Sequence, residues 1–108
     1  MMANIAIDVM GGDHAPTEII KGCVEASQET QSKLMLIGKE DIIAEELKKY
    51  TYPLDRITIV NAQEVITMED SPVQAIRGKK DSSMVVGLNL VKKKEADAFV
   101  SAGNTGAL

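Results

Sequence analysis

The chain has 108 residues, 44% hydrophobic and 26% charged, with a formal net charge of −4. That length holds one small domain and excludes two. An acidic balance with one Phe, two Tyr and no Trp lacks the basic face and aromatic platforms of a nucleic-acid binder, and no apolar run approaches the roughly 20 residues of a membrane span.

The N-terminus runs from Met1 straight into Asn4-Ile5-Ala6-Ile7-Asp8-Val9, with no basic region, long apolar core or small-residue cleavage site, which reads as a cytosolic protein. Ile5 to Val9 predicts a first strand. It is followed by the turn Met10-Gly11-Gly12-Asp13-His14-Ala15 and by a helix that Pro16 opens in its first turn. Ile20, Cys23, Val24 and Ser27 share one face of that helix, so Cys23 reads as core rather than catalytic. As the single cysteine it makes no internal disulfide, and no Cys-x-x-Cys or His-rich metal spacing is present.

Leu34 to Ile37 predicts a second strand ending at Gly38. Glu40 and Asp41 favour a helix start and Lys48 and Lys49 its end, with Ile43, Leu47 and Tyr50 as the buried stripe. Ile57 to Val60 alternates as a third strand, and Asn61 to Asp81 forms an excursion without a clear period. Ser82 or Ser83 can cap a further helix on which Met84, Leu88 and Val91 repeat at i, i+4 and i+7, with Lys92, Lys93 and Lys94 in its last turn. Ala96 to Val100 predicts a fourth strand. Apolar runs alternating with helical stretches are the pattern of strand-helix-strand units around a parallel sheet.

Ser101-Ala102-Gly103-Asn104-Thr105-Gly106 follows the fourth strand, where open parallel sheets place ligands. Such a strand-to-helix turn aims several backbone N–H groups at one spot, and glycine lets a bulky anion approach them. Ser101, Asn104 and Thr105 add donors that suit the oxygens of phosphate. A tight turn capped by Asn104 or Thr105 uses the same residues without any ligand. Neither the Gly-x-Gly-x-x-Gly turn nor the Gly-x-x-x-x-Gly-Lys-Ser/Thr loop is present. The first turn instead brings Asp8, Gly11, Gly12, Asp13 and His14 to the same sheet edge. Two acids beside a phosphate repel it unless they hold a metal, orient a donor or point away.

Three stretches, "IDVMGGDHAP" at 7–16, "SPVQAIRGKKDSSM" at 71–84 and "SAGNTGA" at 101–107, carry a resemblance that runs from end to end. Through them the chain resembles the N-terminal part of the acyl-acyl carrier protein:phosphate acyltransferases of bacterial phospholipid synthesis, whose members are roughly three times as long. The resemblance implies a Rossmann-like α/β/α fold, a parallel sheet flanked by helices, with residues 1–108 the N-terminal part of one acyltransferase domain that continues past Leu108. It also implies a cytoplasmic homodimer attached peripherally to the inner face of the cell membrane, with acyl carrier protein and inorganic phosphate as partners and no cofactor or metal. In the implied reaction a fatty acyl group leaves its carrier-protein thioester for phosphate, giving acyl phosphate. Phosphate is then the nucleophile, so no Ser, Cys or Lys need be acylated, and a thiol of reference pKa about 8.5 departs with little help from an acid.

Residue by residue, Gly103, Asn104, Thr105 and Gly106 match the family's phosphate or acyl phosphate loop, with Ser101 at its start. Asp8, Gly11, Gly12, Asp13 and His14 match the facing wall. The resemblance makes Asn104 and His14 the catalytic candidates, His14 as a donor to phosphate or to the departing sulfur; the plainer role for His14 is a turn histidine bonded to backbone. Arg77, Lys79 and Lys80 form a basic cluster suited to docking an acidic carrier protein or steering an anion, or to a solvated loop. Two rival functions use the same residues. One is a non-catalytic phosphate-binding α/β module. The other is a nicotinamide-dependent dehydrogenase of related fold, against which the missing dinucleotide turn counts.

Overall fold

The computed structural model describes residues 3–11, 15–62 and 83–101. In chain order it contains β1 (Asn4–Asp8), α1 (Thr17–Glu29), β2 (Lys33–Gly38), α2 (Glu40–Leu47), β3 (Ile57–Asn61), α3 (Ser83–Lys92) and β4 (Ala98–Ser101). The strands form one parallel sheet in the order β3-β2-β1-β4. β1 is therefore central, with Ile5 opposite both Leu34 and Ala98, and Asp8 opposite both Ile37 and Ser101.

Side chains alternate across each strand, and the alternation sorts them into two cores. On one face Ile5, Ile7, Leu34, Leu36, Ile57 and Ile59 meet Ile20, Cys23 and Val24 of α1 and Ile43 and Leu47 of α2. On the other, Ala6, Met35, Ile37, Val60 and Phe99 meet Val86, Leu90 and Val91 of α3. The result is a three-layer α/β/α arrangement. Its handedness follows from right-handed crossovers: β1 to β2 to β3 steps one way across the sheet, whereas β3 to β4 steps back past β1, so α3 lies on the opposite face from α1 and α2. Full burial of Ile20, Leu36, Ile37 and Ile43 contributes about 1.5–3 kcal/mol for each side chain.

The predicted inward face of α1 is the observed one, since Ile20, Cys23, Val24 and Ser27 are all buried. Pro16 stands one position before the helix, as its N-cap, and its carbonyl accepts from the Ile20 N–H at 2.9 Å. At the other end of α1, Arg56 Nη1 donates to the carbonyls of Ser27 (3.2 Å) and Thr30 (3.1 Å). Ile43 and Leu47 of α2 are buried, and Tyr50 packs beside them.

The third helix is rotated from its predicted stripe. Val91 packs on the sheet as expected, but with Val86 and Leu90 rather than Leu88; the Met84 side chain lies outside the described residues. The reason is Gly87: a Cβ there would collide with Cε1 of the Phe99 ring, so the bare backbone is what seats α3 directly on the ring. Lys94 follows the helix at φ 63°, with its N–H on the Val91 carbonyl (3.0 Å) and the Glu95 N–H on the Leu90 carbonyl (2.9 Å). This is a Schellman ending in which lysine stands where glycine is usual. The following residues delay the fourth strand to Ala98, because the Ala96 N–H also goes to Leu90 (3.1 Å) and Asp97 binds the first residue of β1. The Asp97 N–H donates to the Asn4 carbonyl at 2.6 Å, and Asp97 Oδ2 accepts from the Asn4 N–H at 2.7 Å.

Candidate functional site

β1 and β4 lie side by side, yet the chain leaves β1 toward β2 on the other side. In open parallel sheets the crevice at such a divergence, beyond the carboxyl ends of the strands, is where ligands bind. Asp8 is the last residue of β1 and Ser101 the last of β4, and the ladder sets them directly opposite each other. Both lie on the α3 face, in line with Ala6 and Phe99, which form the preceding cross-strand pair on that side.

Parallel register therefore turns two sequence-distant polar residues into a contact: Ser101 Oγ donates to Asp8 Oδ2 at 2.8 Å. The other carboxylate oxygen, Oδ1, accepts from the backbone N–H groups of Met10 (3.0 Å) and Gly11 (3.1 Å), which bends the chain sharply out of the strand. Asp8 is only 3% exposed. A buried carboxylate is costly unless donors converge on both oxygens, and here two N–H groups and one hydroxyl do so. The acid thus ties the "IDVMGG" turn to the start of "SAGNTG". This resolves the expected repulsion for one of the two acids, because both Asp8 oxygens are directed at donors of the protein itself.

Of the predicted site residues, the structure brings together Asp8, Gly11 and Ser101, with Gly11 buried and Ser101 half-buried. Gly12, Asp13, His14, Arg77, Lys79, Lys80, Gly103, Asn104, Thr105 and Gly106 lie outside the described residues. The Asp8–Ser101 bond spans 93 positions and was not legible without the strand order. The available signal was that each residue is the polar terminus of an apolar strand.

A crevice of about 380 Å³ opens at the same edge, between the end of β3 and the start of α2, and is lined among the described residues by Glu40, Asp41, Ala44 and Asn61. Asn61 Oδ1 accepts from the Glu40 N–H at 3.1 Å, so a strand residue caps the helix. The two acids there complement the helix dipole and disfavour an anionic guest. Cys23 belongs to the opposite face of the sheet from Asp8, and burial pushes its thiol up to about 11. It stays a neutral thiol at physiological pH and is a poor nucleophile. Among the described residues, no group of three or more His, Cys, Asp and Glu side chains is placed to hold a metal ion, and no helix is long and apolar enough to cross a membrane.

A family model described as fatty acid synthesis protein matches residues 3–108. The chain is 56% identical over 104 residues to the phosphate acyltransferase of Alkaliphilus oremlandii, a match covering 96% of this chain and 31% of that protein. It is 52% identical over 104 residues to the phosphate acyltransferase of Syntrophomonas wolfei (95% of this chain, 32% of the relative). Against the phosphate acyltransferase of Fusobacterium nucleatum it is 58% identical over 105 residues (96% and 32%). The chain thus spans about a third of the length of these curated relatives.

Proposed function

Since the chain belongs to the fatty acid synthesis protein family, we propose that the full-length protein transfers a fatty acyl group from acyl-acyl carrier protein to inorganic phosphate. The products are acyl phosphate and free carrier protein. The observation that supports this reading is the junction at the β1–β4 switch point, where the buried Asp8 carboxylate binds the Met10 and Gly11 N–H groups and the Ser101 hydroxyl at one sheet edge.

A phosphate oxygen attacks the thioester carbonyl carbon, forming a tetrahedral oxyanion. The intermediate collapses with cleavage of the C–S bond, the electron pair leaves on sulfur, and the thiolate takes up a proton. Two reactants, phosphate and the thioester, must be held within attack distance, so positioning supplies most of the acceleration, and N–H groups aimed at the developing oxyanion supply several kcal/mol more. In this reading Gly103, Asn104, Thr105 and Gly106 cradle phosphate and acyl phosphate. Gly11, Gly12, Asp13 and His14 form the facing wall, His14 donates to phosphate or to the departing sulfur, and Arg77, Lys79 and Lys80 dock the acidic carrier protein. The neutral, buried thiol of Cys23 accords with direct attack by phosphate rather than an acyl-enzyme. The same reading makes the protein a homodimer working at the cytoplasmic face of the membrane.

The test is release of free thiol from a long-chain acyl-acyl carrier protein by the full-length protein, with and without phosphate, beside an Asn104→Ala variant. Release that requires phosphate and is lost in the variant is expected. A well-folded full-length protein that releases no thiol sinks the reading.

A further inference from the structure

We propose that Met10 and Gly38 are positioning residues of the transfer reaction: the Met10 side chain seats in the slot left open by Gly38 and so fixes where the chain leaves β1, a role that rests on the acyltransferase reading. Gly38 ends β2 at the carboxyl edge of the sheet, in line with Leu34 and Leu36 on the α1/α2 face. The place its side chain would take is filled from the neighbouring strand. A Cβ at Gly38 would stand 2.5 Å from Met10 Cγ, 3.0 Å from Met10 Sδ and 3.2 Å from Ile43 Cδ1. β2 is extended backbone that any residue adopts, so glycine is needed here for room and not for conformation.

The seat completes a grip on one turn from two sides of the sheet. On the α3 face, Asp8 Oδ1 accepts from the Met10 and Gly11 N–H groups at 3.0 and 3.1 Å. On the α1/α2 face, the Met10 side chain packs against the cluster that holds Val9 and Ile43. Hydrogen bonds to a single carboxylate leave a turn free to pivot about the strand end, and a side chain packed on the opposite face removes that freedom. Gly11, next in the chain, is buried and begins the wall of the acyltransferase reading. The other two sides of the slot are fixed. The Gly38 carbonyl accepts from the Ala62 N–H at 2.8 Å, and Ile43 is fully buried. A methyl at position 38 therefore acts on Met10. Because Cγ lies one bond beyond Cβ, relief either lifts the whole side chain out of the slot or displaces the backbone of the turn. A misplacement of about 1 Å passed on to reacting groups costs about a hundredfold in rate, which is the scale on which such a seat matters.

The assay is phosphate-dependent thiol release from acyl-acyl carrier protein by the full-length protein, with kcat and the KM for each substrate read separately. Gly38→Ala is expected to lower kcat by about tenfold to a hundredfold, while the KM for acyl-acyl carrier protein changes by less than about threefold. Met10→Ala, which empties the slot, gives a loss of the same order, and Met10→Leu, of nearly equal volume, recovers most of it. In the Met10→Ala background, Gly38→Ala no longer meets Cγ or Sδ and lowers kcat by no more than about twofold further. Arg56→Ala, at the opposite edge of the sheet, is the control for lost stability alone and keeps the wild-type kcat. If Gly38→Ala fails to fold by circular dichroism, the loss in Met10→Ala and its recovery in Met10→Leu decide in its place. A wild-type kcat in folded Gly38→Ala or Met10→Ala overturns the proposal, as do losses that multiply in the double variant. Wild-type protein that releases no thiol with phosphate is the separate failure of the acyltransferase reading, and the proposal falls with it.

Discussion

Replacing Gly87 with alanine is expected to destabilise the protein, although alanine is the better helix former. Within α3 the substitution gains about 0.5–1 kcal/mol from the lower backbone entropy of the unfolded chain. Against that, the new Cβ would overlap Cε1 and Cδ1 of the Phe99 ring and stand 3.0 Å from Cζ. Carbon atoms rest at about 3.5–4.0 Å, so the helix or the ring must shift by more than about 1 Å. The ring is packed in the same cluster as Val86, Leu90 and Val91, which leaves little slack, and overpacking of this kind costs about 1–3 kcal/mol. The net loss is about 1–2 kcal/mol, read as a lower midpoint in equilibrium urea unfolding at unchanged m-value. Phe99→Leu shrinks the obstacle, so the double variant should lose less than the sum of the singles, with a coupling of about 1 kcal/mol. A midpoint raised by Gly87→Ala, or strict additivity with Phe99→Leu, would refute the reasoning.

At the end of the same helix, Lys94→Gly should raise the unfolding free energy by about 0.5–1 kcal/mol, because a φ of 63° disfavours any residue with a Cβ. Arg56→Ala strands the carbonyls of Ser27 and Thr30 and should cost about 1–2 kcal/mol in the same assay, with Arg56→Lys recovering only part, since an ammonium lacks the planar fork. Asn61→Ala removes the acceptor that caps α2 and should cost about 1 kcal/mol. Burial raises the Cys23 thiol from 9.0 to about 11, so above the lower value the unfolded state sheds a proton that the folded state keeps. The stabilisation is present below pH 9.0 and is lost as pH rises toward about 11. Denaturant midpoints should fall over that window in the wild type and fall less in Cys23→Ala.

Elements bounded by strong local signals were legible in the sequence. Strands β1 to β3 match their apolar runs to within a residue, and the buried face of α1 follows from the 3.6 period of Ile20, Val24 and Ser27. The stripe of α3 was not, because Met84 to Val91 is apolar nearly all round and offers several equivalent faces; the choice was made by Gly87 meeting Phe99, a tertiary contact. The start of β4 was misplaced for a similar reason. Ala96 is as buried as a strand residue, but its N–H is held by the Leu90 carbonyl instead of the ladder. At the candidate site, residue types and sheet edge could be read from the turns after β1 and β4. The Asp8–Ser101 bond could not, since it exists only through the β1–β4 register.

That register also sets an order of events during synthesis. β1, α1, β2, α2 and β3 lie consecutively in the chain and can pair as they emerge, whereas Asp8 must wait 93 positions for Ser101. Contacts of such separation are rewarded only after a long loop has closed, so the Asp8–Ser101 junction forms after β1, β2 and β3 can pair. β4 stands at an edge of the described sheet and is also the natural strand to open first in the native state. Hydrogen exchange at Val100 and Ser101 should accordingly outpace exchange at Leu34 and Leu36. A fluctuation that detaches β4 would then part Ser101 from Asp8 while β1, β2 and β3 stay paired.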